Sequence, residues 1–274
     1  MLSELITESV NPGSMDIDRK SIPEILALMN QNDRQVPLAV EKVMPEIARA
    51  VEIIVATLQN GGRLFYIGAG TSGRLVIADA AECPPTFGVS PDLVQALIAG
   101  GRSAVFRARE GCEDKERMGV VDLKRRGFTG KDVLVGVSAS GRTPYVVGAL
   151  RLARELKAPT ISVISNRRGK MVEFSDVLIC PIVGPEVIMG STRLKAGSAA
   201  KLILNMISTT VMIKLGRVSG NMMSNMQVTC GKLRERAINM VMISGKIDRT
   251  KAETLLEETG FNVETALKKL KKTP

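Results

Sequence analysis

The sequence predicts an α/β fold: a doubly wound parallel sheet flanked by helices, with a small C-terminal helical appendage. Three observations carry this. Short segments such as L-F-Y-I (Leu64–Ile67) and V-L-V-G-V are apolar throughout rather than alternating, as strands covered on both faces are. Segments with apolar residues at three- and four-residue steps separate them. Two strand-to-helix junctions carry small, hydroxyl-rich loops, at the sheet edge where open α/β folds bind ligands.

In chain order, residues 1–44 read as an N-terminal helical arm. N-P-G-S is a turn signal, and Ser21-Ile22-Pro23-Glu24 places a capping hydroxyl, an early proline and an acid three residues on, the signature of a helix start. The periodic stretch from Ala39 predicts one helix ending at Gly61-Gly62, with a kink at Pro45. The main domain, 45–216, then holds a strand at Leu64–Ile67, a glycine-rich loop opening a helix, and past that helix a stiff segment, D-A-A-E-C-P-P-T-F. Further strands are predicted at Leu93–Ala99, in V-L-V-G-V-S, in P-T-I-S-V-I-S and in D-V-L-I-C-P-I-V. A helix follows Pro144, and a long one runs from Arg193 to Gly216. Residues 217–274 form a C-terminal helical segment: Arg234 to Lys272 has no strand signal, and two short helices around Gly260 give it a likeness to ubiquitin-associated three-helix modules.

Composition narrows the chemistry. The 274 residues are 45% hydrophobic, enough for a sizeable core, and contain no uninterrupted apolar run of membrane-spanning length. The start lacks a basic region followed by an apolar one, so a soluble cytoplasmic protein is expected, with no membrane partner. Cys83, Cys112, Cys180 and Cys230 form no C-x-x-C pair and read as free thiols rather than a zinc site or a disulfide framework. Histidine is absent, which removes the commonest general base and the imidazole metal sites. Proton transfer near neutral pH falls to Glu, Asp, Lys, Cys or Tyr. The net charge of +10 points to anionic partners. With aromatics at 3%, no stacking platform for nucleic acid is visible, and a phosphorylated metabolite fits better.

The two loops are G-A-G-T-S-G-R, Gly68 to Arg74, and S-A-S-G-R-T, Ser138 to Thr143. Small residues let a ligand approach the backbone; helix-start N–H groups and hydroxyls supply donors for an anion. Gly68, Gly70 and Gly73 satisfy G-x-G-x-x-G, but Asp92 precedes the next strand instead of ending it, so the dinucleotide pattern is incomplete. No Gly-Lys-Ser/Thr occurs. Candidate phosphate ligands are Thr71, Ser72, Ser138, Ser140 and Thr143 with the Gly73 and Gly141 backbone, while Arg74 and Arg142 read as ligands or as structural. Ser191, Thr192, Arg193 and Lys195 form a polar helix entry that reaches this site or a partner subunit's.

These loops resemble the sugar isomerase (SIS) domain. A-E-C-P-P-T-F-G-V, L-I-A-G-G, E-G-C-E-D, A-S-G-R-T-P-Y-V, G-P-E-V-I-M-G-S-T-R-L-K-A-G and K-L-I-L-N-M-I-S-T, with L-I-T-E and D-I-D-R near the start, are similar to one branch of it, the N-acetylmuramic acid 6-phosphate etherases. The likeness runs from about Leu5 to Arg236. It implies a lyase that converts N-acetylmuramic acid 6-phosphate to N-acetylglucosamine 6-phosphate and D-lactate, in amino sugar catabolism and peptidoglycan recycling. It implies no metal and no nucleotide cofactor, a homodimer with sites near the subunit interface, and catalytic acids at Glu82 and Glu113. A related branch, the glucokinase regulatory protein, senses sugar phosphates without catalysis and is the alternative. Val76, Ala81 and Val163–Lys170 depart from the etherase pattern.

The chemistry is consistent with two carboxyls. In the open-chain sugar the C2 proton is acidified by the C1 aldehyde, and the lactyl ether at C3 is a β leaving group that must be protonated as it departs. Each positioned proton transfer contributes ~10²–10⁴-fold. Two carboxyls in one cleft divide the roles when burial and repulsion separate their pKa values. The expectation is Glu82 as acid, stiffened by Pro84 and Pro85, and Glu113 as base or water activator.

Overall fold

The computed structural model describes residues 5–228 and 230–272. Short 3₁₀ turns at Ile6–Glu8, Pro12–Ser14 and Ile17–Arg19 lead to α1 (Ile22–Asp33), whose start carries the expected capping box of Ser21 and Glu24. The predicted single helix beyond it is two: α2 (Gln35–Glu41) and α3 (Met44–Gln59). Pro45 stands in the first turn of α3, so it starts a helix where the sequence predicts a kink. The reason is local: proline has no N–H to give, and only the first turn of a helix does not ask for one.

The sheet has five parallel strands, β1 (Leu64–Gly68), β2 (Val94–Ile98), β3 (Val133–Val137), β4 (Thr160–Val163) and β5 (Val177–Ile179), in the order β2-β1-β3-β4-β5. The chain leaves β1 to one side and returns to β3 on the other. β1 and β3 are therefore neighbours, with Gly68 level with Val137, and their C-terminal ends form the topological switch point. Every side chain of β1, β3 and β4 is buried. Phe65, Ile67, Leu134, Val146, Leu150 and Met171 share one core.

Helix α4 (Gly70–Phe87) follows β1 and includes the double proline in its last turn. The D-A-A-E-C-P-P-T-F stretch thus belongs to the helix instead of lying past it. Pro84 and Pro85 cost only the bonds they would have made to Ala80 and Ala81, and Gly88 ends the turn at φ +63°. Between β2 and β3 lie two helices that the sequence reading leaves unassigned, α5 (Arg102–Phe106) and α6 (Glu116–Arg125). α6 packs closely on α7 (Pro144–Glu155): a methyl added at Gly119 would fall 1.9 Å from the carbonyl oxygen of Tyr145. α8 (Lys195–Lys214) is long and apolar enough to cross a bilayer, but 56% of that stretch is buried inside the protein, as in a core helix.

The chain divides into two compact units, residues 1–80 with 93–208, and residues 81–92 with 209–274. The second holds α9 (Gly231–Gly245), α10 (Arg249–Glu258) and α11 (Val263–Lys272), packed around Ala237, Ile238, Val241, Leu256, Val263 and Ala266.

Candidate functional site

At the ends of β1 and β3 the first unit has a cavity of about 490 Å³. Its wall on the β1 side is the start of α4, with Gly70, Thr71 and Ser72. Gly73 donates its N–H to the carbonyl of Ala69 at 3.0 Å, the first bond of the helical ladder. The N–H groups just before it have no partner within the helix. They make an anion-binding end, supplemented by the hydroxyls of Thr71 and Ser72. Gly73 itself serves by being small: a methyl there would lie 2.4 Å from Ile98 of β2. Arg74 spends its Nε on the carbonyl of Val105, a structural tie.

The β3 side works differently. Pro144 has no N–H, and Tyr145 donates its own to the carbonyl of Glu113 at 2.9 Å, so the start of α7 offers few free donors. Hydroxyls take their place. Ser138 Oγ lies 2.8 Å from Thr143 Oγ1 and 3.3 Å from Ser140 Oγ, and it accepts from the Gly141 N–H at 3.1 Å. Ser140 Oγ accepts from the Arg142 N–H at 3.2 Å. All three hydroxyl residues and Arg142 line the cavity. Gly141, at φ +68°, is packed on Gly169, where a methyl would fall 2.5 Å from the Gly141 carbonyl oxygen. Gly169 belongs to the Val163–Lys170 segment that departs from the etherase pattern, so this part of the departure still supports the loop.

Glu113 lines the same cavity, with Asp114 beside it. Although it stands at the rim, its carboxyl loses enough hydration there to be raised above its ordinary value, and the Asp114 and Glu110 carboxylates push the same way. Glu82 is exposed on α4, in the part of that helix assigned to the second unit, and is not among the lining residues. The buried acid of its neighbourhood is Asp79, which accepts from Asn205 at 2.7 Å and Ser208 at 3.0 Å and fixes α4 to α8.

The polar entry to α8 divides. Thr192 lines the cavity, while Arg193 lines an adjoining groove of about 390 Å³ that shares Thr71. Ser191 is half-buried and lines neither. Lys195 is buried at the helix start, with its pKa lowered by burial against the opposing pull of Glu186 and Asp33. Glu186, fully buried, accepts from the backbone N–H groups of Lys195 and Ala196, each at 2.9 Å. One lining residue escapes the sequence reading: Glu8, from the 3₁₀ turn near the start of the chain. Its only sequence signal is its place in the L-I-T-E motif.

Residues 46–154 match the family described as the glucokinase regulatory protein N-terminal SIS domain. An N-acetylmuramic acid 6-phosphate etherase of Caldanaerobacter subterraneus is 54% identical, over 97% of this chain and 87% of its own. One from Vibrio cholerae is 52% identical over the same shares. Among solved structures, the phosphoheptose isomerase GmhA of Neisseria gonorrhoeae aligns with a TM-score of 0.52 at 20% identity, covering 69% of this chain and 97% of its own. A phosphoheptose isomerase from Francisella tularensis aligns with a TM-score of 0.54 at 16% identity, over 71% of this chain and 99% of its own. At these identities the structures attest the fold alone.

Proposed function

The chain belongs to the N-acetylmuramic acid 6-phosphate etherase family, and we propose that the cavity at the β1/β3 switch point is where it works as that etherase, with Glu113 and Glu82 as its acid–base pair. The etherase reading prevails over the regulator because the similar relatives at 50% identity and above carry the etherase name across almost the whole chain.

In this reading the 6-phosphate sits between the start of α4 and the hydroxyls of Ser138, Ser140 and Thr143, with Thr71 and Ser72 on the other side. The observation that carries it is the meeting of these two loops in one cavity with Glu113. Gly73 and Gly141 shape the loops, since their N–H groups are already engaged. On the α8 side Thr192 faces the substrate and Arg193 reaches it from the adjoining groove, while Ser191 and the buried Lys195 shape the helix entry behind them.

Glu113, ionised, takes the C2 proton of the open-chain sugar. The electron pair forms the C2–C3 double bond, the C3–O bond breaks, and Glu82 supplies the proton that lets the ether oxygen leave as the hydroxyl of D-lactate. Water then adds across the double bond, its proton at C2 and its hydroxyl at C3, giving N-acetylglucosamine 6-phosphate. The raised pKa of Glu113 suits a base that must reprotonate carbon in the second half.

The exposure of Glu82 fits a homodimer with sites near the subunit interface, in which an acid on the surface of one copy serves a site of the pair. We place this chemistry in the cytoplasm, in amino sugar catabolism and peptidoglycan recycling. The test is D-lactate release from N-acetylmuramic acid 6-phosphate by the purified protein and by Glu113→Gln and Glu82→Gln; full release by either variant sinks that residue's assignment.

A further inference from the structure

We infer that Glu8, delivered to the cavity by the N-terminal arm, is a substrate-contacting residue that accepts hydrogen bonds from the hydroxyl groups of the sugar and selects a sugar phosphate over a bare phosphate. The inference deepens the etherase reading and rests on it for the identity of the sugar.

Glu8 is brought there by specific bonds. Asn166, itself buried, uses its whole side-chain amide on this task. Its Oδ1 accepts from the Ile6 N–H at 2.8 Å, and its Nδ2 donates to Thr7 Oγ1 at 3.0 Å and to the Ala139 carbonyl at 2.9 Å. Ala139 belongs to the hydroxyl-rich loop, so the residue before Glu8 and the loop share one clamp. Leu5 and Thr7 are buried on either side of the exposed Ile6. Further along the arm, Ser14 Oγ donates to the Val187 carbonyl at 2.8 Å. The carboxylate of Glu8 lies beside Gly190: a methyl there would come within 3.0 Å of Glu8 Oε2.

The rest of the wall explains what Glu8 adds. The α4 start, the loop hydroxyls and Arg142 are suited to an anion, which a carboxylate would repel. A carboxylate there that takes no part in the proton transfers serves as an acceptor, and away from the phosphate the sugar offers it hydroxyl groups and the N–H of the acetamido group. As an acceptor-only group, Glu8 distinguishes the polyol portion of the ligand from its phosphate.

The test compares the parent protein with Glu8→Gln and Glu8→Ala by calorimetric titration with N-acetylglucosamine 6-phosphate and with inorganic phosphate, alongside D-lactate release. The expected result is sugar phosphate binding weaker by about tenfold or more in Glu8→Ala, with phosphate binding unchanged within about twofold. KM should rise more than kcat falls. Sugar phosphate binding within about twofold of the parent in both variants overturns the inference, as does an equal loss for both ligands, which a collapsed cavity would produce. A parent that binds the sugar phosphate through Glu8 but releases no lactate leaves this inference standing and defeats the catalytic reading. A parent that binds no sugar phosphate overturns both.

Discussion

The side-chain amide of Asn166 donates to the carbonyl oxygen of Ala139 at 2.9 Å, and so ties the loop after β4 to the ligand loop after β3. The same group holds the Ile6–Thr7 backbone and hydroxyl. Asn166→Ala should therefore loosen two parts of the site at once. Thermal unfolding is expected to show a loss of about 1–3 kcal/mol, because buried groups are left without partners. KM for the sugar phosphate should rise in the same variant.

Gly169 is a second point of support. Its replacement by alanine forces a methyl against the Gly141 carbonyl, where only backbone can yield. The expected cost is about 1–3 kcal/mol by denaturant titration. Gly61→Ala offers a contrast: that glycine has a positive φ, of +80°, where Gly169 has an ordinary negative one, but it meets nothing within 4 Å, so its smaller penalty is conformational alone.

Asp132 carries the clearest dependence of stability on pH. Burial opposes its ionisation, but hydrogen bonds from Arg63 and from the Thr129 N–H and hydroxyl outweigh burial and lower its pKa below 3.8. A depressed carboxyl pKa contributes stability that is present above the unfolded value and is lost as pH falls through the folded one. The loss should thus set in below about pH 4. Asp132→Ala removes the carboxylate that accepts from Arg63 and from the Thr129 N–H; it should cost about 1–3 kcal/mol at neutral pH and abolish that acid-side slope.

Glu113 has the opposite sign. Its folded pKa is raised, so its ionisation above that value works against folding. Glu113→Gln should leave stability at pH 7 unchanged or slightly improved while lowering kcat by at least ~10²-fold. The parent's kcat/KM should fall on the acid side, through an ionisation above the ordinary value of 4.5. An intact acid limb in an active Glu113→Gln protein would assign that ionisation elsewhere.

The strands are legible because a strand buried on both faces has an apolar signature that needs no tertiary knowledge, as L-F-Y-I and V-L-V-G-V show. The loops at Thr71–Ser72 and Ser138–Thr143 are legible for a similar reason: small and hydroxyl residues clustered between a strand and a helix have few other uses. The break before Pro45 and the run of α4 through Pro84 are not, because whether a proline's missing N–H is tolerated depends on where the helix begins and ends, a property of the fold. α6 escapes a periodicity reading because its apolar face is narrow, interrupted by charge and by Gly119. Glu8 is out of reach. It joins the site through bonds between residues about 160 positions apart, which no local pattern records.

The most direct test is the rate of D-lactate release from N-acetylmuramic acid 6-phosphate by the parent protein, by Glu113→Gln and by Glu82→Gln. The account predicts release by the parent and its loss, by about 10²-fold or more, in each variant that still binds N-acetylglucosamine 6-phosphate. Undiminished release in both variants would contradict it, because the elimination would then run on neither of the carboxyls assigned to it.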